Sequence, residues 1–143
     1  MRSFIYMENP ERRFRLRKDY EIVGYMRKVS ESMVLYSKDG LWWRGYKPAY
    51  TEVDEFTGLK DRNNRHIYEW DILEFKIDPD GDYLKGVVLW EGREKVFGIK
   101  PIDGGSFIPL FINSVSMFNP RELRVFSHLW LNPDLKAQLK VKD

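Results

Sequence analysis

Asp71-Ile72-Leu73-Glu74-Phe75-Lys76-Ile77, then Asp78-Pro79-Asp80-Gly81-Asp82, then Tyr83-Leu84-Lys85-Gly86-Val87-Val88-Leu89-Trp90 is the stretch on which the fold turns. Two runs of β-favouring residues flank five polar ones that include a Pro and a Gly. Pro presets the first corner of a reversal and Gly accepts the backbone angles a tight turn demands, so the chain folds back here as a hairpin. Outwards from it, Glu91-Gly92-Arg93 makes a second turn and Lys95 to Lys100 a third strand, giving an antiparallel meander. Asp103-Gly104-Gly105 turns again before Phe107 to Ile112, where Pro109 lacks the N–H a central strand must donate. Leu123 to Leu131, with Val125, Phe126, Leu129 and Trp130, returns to strand composition.

The N-terminal third has the same character. Arg12 to Lys18 alternates Arg13, Arg15 and Arg17 with Phe14 and Leu16, so in a strand the arginines share one face and the apolar pair the other. Tyr20 to Met26 and Ser32 to Ser37 are further strands. Lys38-Asp39-Gly40 reads as the turn of a hairpin whose second arm is Leu41-Trp42-Trp43-Arg44-Gly45-Tyr46. Pro48 to Asp54 is polar and irregular, a connection between an N-terminal subregion, 1–47, and a main region, 55–143, of one domain spanning 1–143. At the other end, Asn132 is placed to cap a short helix, Pro133 to Lys140, with Pro in the first turn and Asp134 facing the positive helix end. The expected fold is mainly β (β-rich α+β): small barrel-like antiparallel sheets with a short C-terminal helix.

Composition narrows the function. There are 24 Lys and Arg against 22 Asp and Glu, no Cys and two His. Without Cys there is no disulfide, no thiolate nucleophile and no Cys-ligated metal. Without an apolar run of about 18 residues there is no membrane helix, and the start, Met1 to Tyr6, lacks the apolar core of a secretory signal; the expected compartment is the cytoplasm. The near-neutral balance conceals a pattern. Residues 1–47 hold 11 basic and 6 acidic side chains, 48–85 hold 5 and 10, and 86–143 hold 8 and 6. Consecutive segments of opposite sign favour packing against each other, or against another copy, at least as much as binding a phosphate backbone.

No catalytic signature is present: no nucleophile elbow, P-loop, dinucleotide fingerprint or zinc-binding His pair. Asp78, Asp80 and Asp82 alternate like calcium ligands, but the sixth and twelfth loop positions hold Tyr83 and Leu89 where an EF-hand needs Gly and Glu. They read as a solvated turn. His66 falls in a polar stretch, an expected exposed turn, and His128 in a strand. The expectation is a non-enzyme with no cofactor and no metal. Two contact chemistries remain. One is a protein partner or a second copy, with Trp42 or Trp43 at the interface. The alternative is a nucleic-acid-binding small β-barrel module in which Arg12, Arg13, Arg15, Arg17 and Lys18 track phosphates and Trp42 or Trp43 stacks a base. The same arginines also suit a charged edge strand, or a partner for the acidic middle of the chain.

One stretch carries a family resemblance. Glu55-Phe56-Thr57-Gly58-Leu59-Lys60-Asp61-Arg62-Asn63-Asn64-Arg65-His66-Ile67-Tyr68-Glu69-Trp70-Asp71-Ile72 resembles the signature of the YopX family of phage and prophage proteins. Thr57, Gly58, Leu59, Lys60, Asp61, Asn63, Ile67, Tyr68, Glu69, Asp71 and Ile72 match. Asn64 and Trp70 stand where the family pattern has Gly. Asn accepts a positive φ readily; Trp does not, so the backbone at Trp70 is expected to differ. Met33 to Tyr36 with Asp39-Gly40 is similar to the family's early hairpin, and Leu131-Asn132-Pro133-Asp134-Leu135 to its closing helix start. The resemblance spans about Arg13 to Leu139 and leaves Met1 to Glu11 as an extension. It implies a β-rich fold of barrel-like character, encoded by a phage or prophage and acting inside the host, and it implies no activity. Turn chemistry explains the motif itself: Thr57-Gly58-Leu59 as a tight turn, Asp61 accepting backbone N–H groups of the polar loop, Tyr68 to Phe75 as a strand.

Overall fold

The computed structural model describes residues 11–139, and those residues divide into two compact units with the boundary between Phe56 and Thr57. The expected N-terminal extension, apart from Glu11, lies outside the described residues.

The first unit is an antiparallel sheet of β1 (Arg12–Lys18), β2 (Glu21–Lys28), β3 (Val34–Ser37) and the first half of β4 (Glu52–Lys60), in the order β3-β2-β1-β4. Lys18 pairs with Glu21 across a two-residue turn in which Asp19 takes φ 58°, a left-handed angle that Asp tolerates better than most residues. Alternation along β1 works as expected on its apolar side. Phe14 and Leu16 bury with Met26, and Val23, Val34, Tyr36 and Tyr50 pack around them. The expected second hairpin arm does not form: no strand occupies residues 41–46. Gly45 N–H donates to Tyr36 O at 3.2 Å, but Asp39 captures the N–H groups of Leu41 and Trp42, and side-chain capture of that kind competes with a ladder. Strand β4 begins at Glu52, inside the stretch expected to be irregular.

The second unit contains the opening meander. Strand β4 runs on from Thr57 to Lys60 and pairs with β5 (His66–Tyr68). A five-stranded antiparallel sheet then orders β12 (Leu123–His128), β6 (Asp71–Phe75), β7 (Leu84–Glu91), β8 (Val96–Pro101) and β9 (Ile108–Pro109). Strands β10 (Phe111–Ile112) and β11 (Val115–Ser116) form a separate ribbon. Pro109 sits in the outermost strand of its sheet, where a missing N–H does no harm. At Gly98 a Cβ would overlap the Phe107 ring and the Ile108 carbonyl, so only Gly lets β9 approach β8. The sheet is buried on both faces. Leu73, Phe75, Val88, Phe97 and Ile99 pack into one cluster, whereas Ile72, Val87 and Leu129 form a second with Leu135 and Leu139 from the C-terminal segment. Two buried faces explain why β6 reads as a nearly continuous apolar run rather than an alternating one.

Three expectations are corrected here. The sheets do not close into a barrel. Strand β12 stops at His128, because Leu129 N–H turns to Trp70 O at 2.8 Å and residues Leu129–Leu131 wind into a 3-10 turn. The helix α1 (Pro133–Gln138) does begin after Asn132, but that side chain does not cap it; its Nδ2 donates to His128 O and Ser127 Oγ. Lys140 lies outside the described residues. Among the described residues no helix is long and apolar enough to cross a membrane.

Candidate functional site

Two groups of residues were singled out by sequence, one in each unit, and each has a defined place. In the second unit the motif forms a backbone-locking device. Thr57 and Gly58 lie within β4 rather than in a free turn; Gly58 takes φ 95° and bends the strand. Buried Thr57 donates its Oγ1 hydrogen to Ile67 O at 2.8 Å and accepts from Leu59 N–H at 3.2 Å, which ties β4 to β5. Leu59 then packs on the main core while Lys60 points to solvent. Asp61 is buried and is the hub. Its Oδ1 accepts the N–H groups of Asn63 and Arg65, both at 2.9 Å, and its Oδ2 accepts Val125 N–H at 2.9 Å, 64 residues along the chain. Arg62 N–H adds a bond to Leu123 O at 2.9 Å, so the loop is sewn along the outer edge of β12. Downstream, Ile67, Tyr68, Glu69, Asp71 and Ile72 are all buried, and Asp71 Oδ2 accepts Tyr68 N–H at 2.8 Å across the β5–β6 corner. His66, expected in an exposed turn, is half-buried at the start of β5. Asp78 closes its own turn by accepting Asp80 N–H at 3.0 Å.

The two departures from the family pattern both take the left-handed angles that favour Gly. Asn64 takes φ 63° and Trp70 φ 75°. The left-handed angle at Trp70 overturns the expectation that the backbone would differ. The surroundings impose it: Trp70 N–H donates to Val88 O at 2.8 Å and its carbonyl accepts from Leu129, so both backbone groups are committed. The ring meets Trp130 edge-on at 5.4 Å and packs on the Ile72, Val87 and Leu129 cluster, offsetting a strain of roughly 1–2 kcal/mol.

In the first unit the arginine strip is internal. Arg15 and Arg17 are buried, and their Nε–H groups reach Asp54 Oδ2 at 2.9 and 2.8 Å; Asp54 is itself fully buried. Arg12 forms a two-pronged pair with Glu55, both bonds at 3.0 Å. Register explains the match, since β4 lies antiparallel to β1 with Arg15 opposite Asp54. Arg13 lies 5.4 Å from the Trp43 ring and Arg27 5.1 Å from it, while Glu11 bonds Arg27, which holds the Glu11 carboxyl below its usual range. Lys18 alone of the five predicted cations is exposed.

What the same unit does display is the arm 41–46. Asp39 accepts Leu41 N–H at 2.8 Å, Trp42 N–H at 3.1 Å and the Ser37 hydroxyl at 3.1 Å; the two backbone donors are the main reason its pKa is depressed. Gly45 N–H fixes the other end to β3. Between these anchors Leu41 is 85% exposed, Trp42 67% and Tyr46 98%. Trp43 is half-buried. The two Trp side chains do separate into an outer and an inner one, but on a side-chain-pinned loop rather than on opposite faces of a strand. Tyr46 and Leu41 escaped the sequence reading because β composition hid the capture by Asp39; the signal was Asp39 three residues before a pair of aromatics, with Gly45 and Pro48 to follow.

Among the described residues no three His, Asp or Glu side chains are grouped to hold a metal ion. No curated protein matches the chain. The family model described as YopX protein matches residues 8–125 of 143, with the motif inside the match, and the chain belongs to the YopX protein family.

Proposed function

We propose that this YopX-family chain is a phage- or prophage-encoded accessory protein of the host cytoplasm that catalyses no reaction and works by contacting other proteins. The observation that carries the reading is the pinned arm, with Leu41, Trp42 and Tyr46 held out into solvent. Large apolar side chains on a preorganised loop lose little conformational entropy on docking, and burial of each in a partner is worth about 1.5–3 kcal/mol. Lys38, Arg44 and Lys47 flank them and the one acid of the arm region, Asp39, is turned to its own backbone, so an acidic surface with an apolar hollow is the matching partner. The family motif supports the non-catalytic half of the reading, because the side-chain oxygens of Thr57, Asp61 and Asp71 bond backbone groups.

The nucleic-acid alternative loses its main support, since Arg12, Arg15 and Arg17 face carboxylates within the same unit. The test retrieves the tagged protein from infected host lysate with and without nuclease, alongside the double variant Trp42→Ala/Tyr46→Ala. A protein partner that survives nuclease and is lost with the double variant supports the proposal. Material that disappears with nuclease, or capture unchanged in the variant, overturns it.

A further inference from the structure

From the third turn, Asp103-Gly104-Gly105, onward the chain builds an apolar feature of a different kind. From Gly104 to Pro120 there is no ionisable side chain, the longest such interval in the sequence. Its centre is the β10–β11 ribbon, closed by Asn113 at φ 50° and Ser114 at φ 66°, the two left-handed residues of a tight turn whose twist suits a hairpin. Ile112 lies directly across from Val115, and Phe111 across from Ser116. Alternation therefore puts Ile112, Val115 and Met117 on one face and Phe111 on the other, where it packs on the main core. The outward three are 48%, 65% and 48% exposed.

Both edges of the five-stranded sheet of this unit are managed. The outer side of β12 is sewn to the Asp61 loop, and β9 is two residues long and ends in Pro109. The ribbon has no such guard: among the described residues β11 pairs with β10 alone, and neither a charge nor a Pro interrupts residues 110–119. We infer that the outward face of the β10–β11 ribbon is a self-association surface that meets the same face of a second copy of this chain about a two-fold axis. An uncharged patch meets itself without like-charge repulsion, and a two-fold contact sets the patch of Ile112, Val115 and Met117 against the same patch of the second copy. The three side chains expose roughly 300 Å² per copy, within the range of functional patches but well under the ~800 Å² per partner of a stable complex. The pairing is accordingly weak and concentration-dependent. It uses none of the residues of the arm 41–46 and does not depend on the proposed docking role of that arm.

The experiment is sedimentation of the full chain from about 10 µM to about 1 mM, a range matched to a small interface, with Val115→Lys and Val115→Glu as separate and mixed samples. The wild type is expected to rise from 17.2 kDa towards twice that mass. Each variant alone should dissociate at least about tenfold more readily, because both copies then bring the same charge into one contact. The equimolar mixture should recover association by pairing Lys with Glu. Val115 is exposed, and unchanged circular dichroism confirms folded variants. A wild type that stays at monomer mass at the highest concentration overturns the inference, as does association unaffected by either charge. Because the variants leave residues 41–46 intact, partner capture by that arm is scored independently on the same proteins.

Discussion

Replacing Asp61 tests whether the family motif is a structural lock. Its two oxygens accept three backbone N–H groups at 2.9 Å, from Asn63, Arg65 and Val125. In Asp61→Ala all three donors lose their acceptor. Asn63 and Arg65 are exposed residues whose N–H groups can turn to water, so each loss costs about 1 kcal/mol. Val125 is buried beside the irregularity where β12 shifts register between Val125 and Ser127, and its stranded N–H costs about 2–3 kcal/mol. The sum, about 4–5 kcal/mol, is a large part of a typical domain's stability and lowers the melting temperature by roughly 10–15 °C. Asp61→Asn is the sharper probe. Its single carbonyl oxygen can serve the loop pair or Val125, but in either orientation an NH₂ group confronts a donor, so it loses about 2–3 kcal/mol despite equal size. Urea titration followed by circular dichroism measures both. The reasoning fails if Asp61→Ala costs less than about 1 kcal/mol, or if Asp61→Asn matches the wild type, since then loop geometry rather than carboxylate acceptance holds the motif.

Asp54→Ala removes the carboxylate that Arg15 and Arg17 share in a buried setting, and a loss of about 3–5 kcal/mol is expected in the same titration, much more than for Glu74→Ala at the half-exposed Arg124 pair. At Trp70 the usual order reverses: Trp70→Ala keeps the left-handed strain and loses the ring, whereas Trp70→Gly loses the ring and relieves the strain, so the Gly variant should be the more stable by about 1 kcal/mol. Equal or inverted stabilities would show that the angle relaxes. Asp39 supplies a pH response. Its folded pKa is depressed, so its contribution is present above the unfolded value and is lost as pH falls below about 4. Trp42 fluorescence should therefore report release of the arm in that acid range, and Asp39→Asn should weaken the transition.

The parts of this architecture that were legible from the sequence are those where one local rule acts alone. Pro79 and Gly81 between two β-rich runs define the β6–β7 hairpin, and Asp61 before a polar loop announces an Asx-type acceptor. The failures share a cause: a side chain or a distant strand competed with the local pattern. Asp39 took the N–H groups that a second arm needed. Leu129 N–H went to Trp70 O and ended β12 early. Asn132 reached back to His128 O instead of capping its helix. At Trp70, bonds to Val88 and from Leu129 fixed an angle that residue preference alone forbids. For the candidate surfaces, residue type was visible and presentation was not; nothing local distinguishes Trp42, held outward, from Trp43 beside two guanidinium groups.

The segmental charge pattern acquires a physical meaning from this placement. Pairing β1 with β4 sets arginines from the basic third against Asp54 and Glu55 from the acidic middle, so the opposite signs are consumed where they meet. A buried Asp held by two arginines contributes little net stability beside an apolar alternative, but it penalises misregistration heavily, because a one-residue slip of β1 would bring Phe14 or Leu16 opposite the carboxylate and turn Arg15 towards the apolar cluster. Charge here specifies register. The surfaces left for partners are then the ones that ion pairs do not use: a cationic arm carrying aromatics in the first unit and an uncharged ribbon in the second. An acidic partner can recognise the former and is indifferent to the latter, so hetero-contact and self-contact can be separated by salt. Raising ionic strength should weaken capture through the arm while leaving ribbon association unchanged or stronger.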